Sequence, residues 1–344
     1  MIDSARDPLR IGVLGASRIA ERSIVSPARL TGHRLVAVAA RDPQRARDFA
    51  ARHGVERVLP SYDEVVSDPD VDVVYNPLAN GLHAPWNLAA LEAGKHVLTE
   101  KPSAANATEA DEVERAVDRA GTAFLEGFHY LFHPLFQRVE ELVASGAVGE
   151  IESVVAPMRM PAPDDGDPRW DLSLAGGALM DLGCYSLHAA RRLGTFAGGE
   201  PRLVRAVSGE RTGRPGVDEW LTADLVYPSG AVAVAGAHMA APEWDFSLTV
   251  TGTTGTIRVP NFVQPHADDR LVVRDASGER TERLGGRSSY THQLARFADR
   301  VRTGGVLPID ARDAAAHMRL IDAAYVAAGL SPRPVAPAPP RPPG

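Results

Sequence analysis

The residues best suited to chemistry lie at two distant places in the 344-residue chain. Thr99-Glu100-Lys101-Pro102 closes a short apolar run, and Pro102 keeps Lys101 out of regular helix, so an ammonium group stands at the end of an expected strand. A lysine held there can hand a proton to a substrate oxygen or take one from it. Further on, Gly176-Gly177-Ala178-Leu179-Met180-Asp181-Leu182-Gly183-Cys184-Tyr185-Ser186-Leu187-His188 reads as a helix over 177–193 in which Asp181, Tyr185 and His188 recur at i, i+4 and i+7. At helical spacing they share one face and point together into a cleft. Tyr185 then serves as acid or base toward a substrate oxygen, with Asp181 and His188 orienting it or binding hydroxyls. A polar helix face closed by an i, i+4 hydrogen bond is the simpler alternative, and Lys101 tips the balance toward a proton-transfer site.

What those groups would act with is suggested near the start of the chain. The first expected strand runs into Gly15-Ala16-Ser17-Arg18-Ile19-Ala20, a dinucleotide fingerprint with Ser at its second glycine and Ala at its third. Gly15 permits the tight turn, Ser17 is small enough for a pyrophosphate to approach and adds a hydroxyl, and Ala20 lets the following helix sit close. Such a turn is common in ordinary loops; its position between a strand and a helix, at the start of an alternating pattern, is what makes it a nucleotide site. The second strand ends in Val38-Ala39-Ala40-Arg41-Asp42. An acid there would bond a ribose 2′-hydroxyl, whereas arginine suits a 2′-phosphate, so Arg41 favours NADP while leaving NAD possible. Asp42 before Pro43 reads as a helix cap. Hydride transfer at a carbinol or carbonyl carbon, with Lys101 managing the oxygen's proton, is the chemistry these parts imply.

The elements that must position them are legible as periodicity. Strands are expected at 10–14, 34–39, 71–75, 96–99 and 123–126, alternating with helices at 17–29, 43–53, 61–67, 83–93 and 107–120. Short apolar runs separated by helices indicate βαβ units and a buried parallel sheet. The segment after the third strand, Pro77-Leu78-Ala79-Asn80-Gly81-Leu82-His83, leaves at the carboxyl edge where ligands bind in open α/β sheets, which makes Pro77, Leu78, Asn80 and His83 cofactor-edge candidates beside Glu100 and Lys101. Asn80 and His83 serve equally well as helix-start polar groups. Beyond a helix at 133–145 the pattern changes to longer, half-polar strands at 150–159, 219–227 and 231–238, the last two joined by a turn at 227–231, then helices at 290–303 and 311–328. The fold expected is α/β: a Rossmann domain over 1–127, an α+β domain with a large, mainly antiparallel open sheet over 128–330, and a Pro-rich unstructured tail over 331–344. Asp167-Pro168-Arg169-Trp170 precedes the helix that carries Tyr185; Arg169 and Trp170 offer hydrogen bonds and an apolar face to a sugar ring, or else form a structural loop.

Composition narrows the class. A net charge of −7 without a block of Lys/Arg speaks against nucleic acid or an anionic membrane as partner. No apolar run spans a bilayer, the first residues lack a secretory h-region, and one cysteine allows no intrachain disulfide, so a cytoplasmic enzyme of small molecules is expected. No His/Cys/Asp/Glu cluster has metal-site spacing.

The fingerprint, Glu100-Lys101-Pro102 and Gly177-Ala178-Leu179-Met180-Asp181-Leu182-Gly183-Cys184-Tyr185 together resemble the Gfo/Idh/MocA family of oxidoreductases, over roughly 9–330. The Asp-x-Gly-x-Tyr form, with Glu126-Gly127-Phe128-His129-Tyr130-Leu131-Phe132-His133-Pro134, is similar to its branch of glucose–fructose oxidoreductase, D-xylose dehydrogenase, dihydrodiol dehydrogenase and sugar 3-ketoreductases. The resemblance implies catalysis by Lys101 with Tyr185, a sugar, polyol or cyclic diol as substrate, and a homodimer or higher homo-oligomer built on the open sheet. A nucleotide-linked keto-sugar is the alternative substrate, and a dinucleotide-binding sensor without turnover is the alternative from another class.

Overall fold

Six short strands with almost wholly buried side chains form the first layer, as their apolar composition requires. In the computed structural model, which describes residues 7–335, these are β1 (Arg10–Leu14), β2 (Arg34–Ala39), β3 (Arg57–Val58), β4 (Val73–Asn76), β5 (His96–Thr99) and β6 (Phe124–Glu126). They pair in parallel in the order β3-β2-β1-β4-β5-β6, which puts the topological switch between β1 and β4. Helices α1 (Ser26–Thr31), α2 (Pro43–His53), α3 (Tyr62–Ser67), α4 (His83–Glu92) and α5 (Ala107–Ala120) alternate with them. Three begin on a side-chain cap: Asp42, Ser61 and Asn106 accept from the amides of Gln44, Glu64 and Glu109.

The helix expected over 17–29 departs from this regularity. Its first residues remain a turn, Glu21–Val25 is a wide π segment, and only Ser26–Thr31 is α-helical. Pro27 has no N–H to return to Ser23, and the amide of Ser26 reaches back to the carbonyl of Glu21, one residue further than α-helical bonding.

The second layer is an eight-stranded sheet. Its strands are β7 (Ile151–Arg159), β8 (Arg202–Glu210), β9 (Asp218–Val226), β10 (Val232–His238), β11 (Leu248–Gly252), β12 (Gly255–Val259), β13 (Arg270–Asp275) and β14 (Gly278–Arg283), in the order β14-β13-β12-β11-β7-β10-β9-β8. All pairings are antiparallel except β7 with β10. The hairpin expected across 227–231 is present as β9–β10, whereas β8 and β11 to β14 add strands for which the periodicity gave no expectation. Side chains alternate strictly: Val154, Ala156 and Met158 of β7 are buried, and Val155 between them is 39% exposed. Helices α6 (Pro134–Ala144), α7 (Cys184–Leu193), α8 (Ser289–Thr303) and α9 (Ala311–Ala327) complete this half. Helix α7 packs on β7 and β10, and α9 against α5, so one continuous apolar core joins the two sheets.

The chain end corrects one expectation. Residues 331–335 are not a loose start to an unstructured tail: Arg333 is 2% exposed, pairs with Asp218, and donates to the carbonyl of Gly216 at 2.8 Å. A composition rich in proline says nothing of a long-range cation partner, and Asp218, buried at the start of β9, requires one. The remainder of the expected tail, 336–344, lies outside the described residues.

Candidate active site

The carboxyl edge of the parallel sheet gathers the turns after β1, β4 and β5. Gly15 sits at φ +86, and a Cβ there would come within 2.9 Å of Leu78 Cδ2, so both backbone angle and space require glycine. Its amide donates to the carbonyl of Ala39 at 2.7 Å, tying the fingerprint turn to the end of β2. Ser17 Oγ is buried and without a partner. An orphaned hydroxyl on a turn that admits no side chain, ahead of a helix, fits a pyrophosphate that would supply the missing acceptor. Arg41 is exposed at the end of β2, and Arg45 on α2 donates to the carbonyl of Ala16 at 3.0 Å. The Arg45 guanidinium therefore borders the fingerprint, and it is a residue the sequence reading missed although it lies four residues after Arg41.

The Lys101 strand end is braced from below. Glu100 is buried and accepts from Tyr75 Oη at 2.7 Å, while Tyr75 Oη also meets Ser23 Oγ at 2.6 Å. Burial pushes the Glu100 carboxyl up, against the pull of the Tyr75 hydrogen bond and the Lys101 charge. His83, expected at the cofactor edge, is 1% exposed and faces two carbonyls, Pro102 O at 2.6 Å from Nδ1 and Leu78 O at 2.9 Å from Nε2. Burial lowers its pKa to about 4, so it is neutral and donates to one of them at a time. It joins the turns after β4 and β5 and lies beneath the cleft surface. Asn80 reaches across to the second half, donating to the carbonyl of Ala175 at 3.4 Å.

From the other half, the start of the α7 segment descends on Lys101. Lys101 Nζ donates to the carbonyl of Asp181 at 2.7 Å, stands 3.8 Å from Asp181 Oδ1, and lies 5.0 Å from the centre of the Tyr185 ring. Asp181 also accepts from Arg169 Nε at 2.8 Å. Asp167 accepts from Arg169 and, at 3.0 Å, from the exposed Arg18 of the fingerprint, so one carboxylate links the loop before the helix to the dinucleotide turn. Tyr185 Oη is 3.0 Å from His129 Nε2, and burial drives the phenol pKa well up.

Two expected members stand apart. His188 does not share the face of Asp181 and Tyr185: its ring is fully buried, stacked on Phe128 at 3.8 Å, with Nδ1 at 2.8 Å from Tyr130 Oη and Nε2 at 3.3 Å from Asp313 Oδ2. The i, i+4, i+7 stripe presumes 3.6 residues per turn, and Leu179–Gly183 is a π segment that holds more. Trp170 is 1% exposed, with its ring covered by the Arg211 guanidinium at 4.8 Å and its Nε1 donating to Pro163 O at 3.3 Å. It supports the loop that carries Arg169 and offers no open face to a ligand.

The other residue missed is Ser289. His129 follows β6 at the same carboxyl edge, three residues past Glu126, and reads from sequence either as a histidine that reaches the cleft or as one that satisfies local hydrogen bonds. Among the described residues no group of His, Cys, Asp or Glu could hold a metal ion.

A parallel sheet with its switch at β1/β4, a fingerprint turn, and a lysine and tyrosine brought together from two domains define an oxidoreductase of the dinucleotide-binding type. The chain belongs to the Gfo/Idh/MocA family: residues 9–128 match the oxidoreductase family with NAD-binding Rossmann fold, and 136–258 match the GFO/IDH/MocA C-terminal domain. It is 36% identical over 323 residues to D-xylose 1-dehydrogenase (NADP(+)) 2 of Haloferax volcanii, covering 93% of this chain and 97% of that one. It is 36% identical over 270 residues to a dTDP-3,4-didehydro-2,6-dideoxy-alpha-D-glucose 3-reductase of Saccharopolyspora spinosa, covering 78% and 80%. The crystal structure of a 3-ketoreductase from Actinomadura kijaniata, in complex with NADP and TDP-benzene, superposes with a TM-score of 0.85 at 29% identity, covering 93% of this chain and 98% of that one. The protein is thus a dehydrogenase or reductase, and no helix among the described residues is long and apolar enough to cross a membrane.

Proposed function

We propose that this protein is an NADP-preferring oxidoreductase that interconverts a carbinol and a carbonyl on a sugar, polyol or cyclic diol, with Lys101 and Tyr185 exchanging the proton of the reacting oxygen. The observation that carries the reading is the meeting of Lys101 Nζ and the Tyr185 ring, at 5.0 Å, on the carboxyl edge beside Gly15 and Ser17. The nicotinamide, when bound, supplies or accepts the hydride. Gly15 and Ser17 would hold the pyrophosphate, Arg41 and Arg45 would supply the charge that favours a 2′-phosphate, and Pro77 and Leu78 would border the cofactor at the sheet edge. In reduction the Tyr185 O–H bond breaks as the proton passes to the carbonyl oxygen, and Lys101, held by the Asp181 carbonyl, stabilises the negative charge that develops there. Oxidation runs the same steps backward. Asp181 and Arg169, each partly open to solvent, are placed to bind neighbouring hydroxyls.

A nucleotide-linked keto-sugar is the second reading, supported by the identity to the Saccharopolyspora reductase over most of both chains. Purified protein is to be mixed with NADP+ or NAD+ and a panel of aldoses, inositols and trans-diols, and with NADPH and keto-sugars free or nucleotide-linked, following reduced-nicotinamide absorbance. Turnover with the free panel supports the first reading; turnover with nucleotide-linked substrates alone replaces it with the second. Lys101→Met is expected to lower kcat by about 10²- to 10⁴-fold, the range for losing a positioned acid or base, with cofactor binding retained. Undiminished turnover removes Lys101 from the mechanism.

The open face of the large sheet supports a homodimer. Val155, Val232 and Val234 on its central strands are 39%, 48% and 36% exposed, with the half-buried Trp220 beside them on β9, an apolar surface of the kind that partners cover. Val234→Glu is expected to shift sedimentation from dimer to monomer; an unchanged dimer places the interface elsewhere.

A further inference from the structure

Hydrogen-bonded to Tyr185 Oη stands a polar chain that the reaction above does not use. Tyr185 Oη is 3.0 Å from His129 Nε2, and His129 Nδ1 is 2.8 Å from Ser289 Oγ. All three residues are buried, and Ser289 is the first residue of α8, fixed by its helix rather than by a mobile loop. The imidazole lies against the Tyr290 ring, with centroids 3.8 Å apart and planes at 32°, and cannot swing away. Nothing in the proton exchange between Tyr185, Lys101 and substrate requires a histidine at this place, yet its two ring nitrogens are the partners of the buried Ser289 and Tyr185 hydroxyls.

A neutral imidazole carries one N–H, so the chain has two arrangements. If Nδ1 carries the hydrogen it donates to Ser289, and Tyr185 must spend its own hydroxyl hydrogen on Nε2, pointing away from any substrate. If Ser289 donates to Nδ1, the hydrogen is on Nε2, the ring donates to Tyr185 Oη, and the phenol hydrogen is left free for the substrate oxygen.

We propose that Ser289 and His129 form a tautomer-setting pair that donates an N–H to Tyr185 Oη and so reserves the Tyr185 proton for the substrate. His129 is a positioning residue in this scheme, and the inference rests on the reading that Tyr185 exchanges the proton. During reduction the Tyr185 O–H bond breaks and a bond to the substrate oxygen forms, while hydride reaches the carbonyl carbon; the phenolate left behind accepts the His129 N–H, which stays on nitrogen. In oxidation the phenolate takes the carbinol proton and the same N–H is retained. The imidazole therefore acts as a fixed donor toward the oxygen on which charge develops, in the manner of one wall of an oxyanion site.

The test compares side chains by whether they can offer that N–H. His129→Leu is expected to lower kcat by about 100-fold, the lower end for removing one such donor, with KM and cofactor affinity unchanged. His129→Gln, whose amide nitrogen can occupy the Nε2 position, is expected to restore most of that loss, and Ser289→Ala to give an intermediate fall of about tenfold, as losing one neutral hydrogen bond would. In a Tyr185→Phe background, His129→Leu is expected to add nothing, since the two act as a unit. Thermal melts of each variant report the folded fraction, and rates are taken per folded molecule. Equal activity in His129→Leu and the parent, alongside an inactive Tyr185→Phe, overturns the inference and leaves the Tyr185 reading intact; a fully active Tyr185→Phe overturns that reading itself. Loss that Gln does not restore, or that appears in KM alone, marks His129 as packing and also overturns the proposal. Should His129→Leu fail to fold, the Gln and Ser289→Ala variants decide it by the same criteria.

Discussion

Two aspartates anchor the segment that opens helix α7, Asp181 from within it and Asp218 from β9, and they do so in opposite ways. Asp181, with its side chain 16% exposed, shares itself between Arg169 Nε at 2.8 Å and Lys101 Nζ at 3.8 Å, both partly reachable by solvent. Asp218, fully buried, accepts from the amide of Leu179 at 2.7 Å and from Tyr325 Oη at 3.1 Å, and pairs with Arg333, whose guanidinium stacks 4.0 Å over the Tyr325 ring. The first carboxylate has partners a ligand can replace. The second has partners only the fold can supply, one of them from the chain's last described turn. Arg333 also accepts from Asn106 through its carbonyl at 2.9 Å, five residues beyond Lys101, so the clasp ties the lysine's loop to the tyrosine's helix from behind. Replaceable charge marks where chemistry happens, and irreplaceable charge marks what holds it still.

Breaking the clasp gives the largest expected effect. Arg333→Ala strands a buried carboxylate, and removal of one partner of a buried pair costs about 3–5 kcal/mol. Burial already pushes the Asp218 carboxyl up against the pull of Arg333, so the variant is expected to melt far below the parent while binding cofactor normally at low temperature. A melting point unchanged by Arg333→Ala would make the clasp ornamental and undo the contrast.

A third carboxyl sharpens the comparison because it is buried with no cation bonded to it. Glu126 at the end of β6 accepts from the amide of Ser103 at 2.6 Å through Oε1, and its Oε2 has no partner. Burial raises its pKa to about 7 from an ordinary value near 4.5. A group whose folded pKa is raised stabilises fully below its unfolded value and loses that contribution as pH rises through the folded one, so here the loss falls between about pH 4.5 and 7. At about 1.4 kcal/mol per unit the change amounts to about 3 kcal/mol. Glu126→Gln stays neutral, and its melting point relative to the parent is expected to climb from pH 5 to pH 8. A constant difference across that range means Glu126 keeps one charge state throughout.

How much of this was open to sequence reading follows the same division. The parallel strands were legible because strands buried on both faces are unbroken apolar runs, and Lys101 was legible because it ends one of them. Helices α2 and α5 begin where Asp42 and Asn106 cap them, and Pro43 and Gly121 mark ends that chain chemistry alone imposes. Strand β14, Gly-Glu-Arg-Thr-Glu-Arg, is exposed along most of its length and carries no alternation to find. His188 was misplaced because a π turn changes the phase of every later residue on its helix. Arg333 was missed because an ion pair 115 residues apart in sequence leaves no local trace.

The smallest effect on stability is expected at Asp181, and it completes the contrast. Asp181→Asn keeps the backbone carbonyl that receives Lys101 and loses only a charge shared between a lysine and an arginine near solvent, pairs that contribute about 1 kcal/mol or less. Its melting point should therefore match the parent's within the shift that such an energy allows. Turnover is expected to fall about tenfold, or 1.4 kcal/mol, because Lys101 loses the carboxylate that fixes its ammonium beside Tyr185 and a substrate hydroxyl loses an acceptor. Steady-state kinetics with parallel melts separate the two quantities. If Asp181→Asn were instead to destabilise the fold as strongly as Arg333→Ala, the two aspartates would be equivalent struts, and the assignment of one to chemistry and the other to structure would fail together.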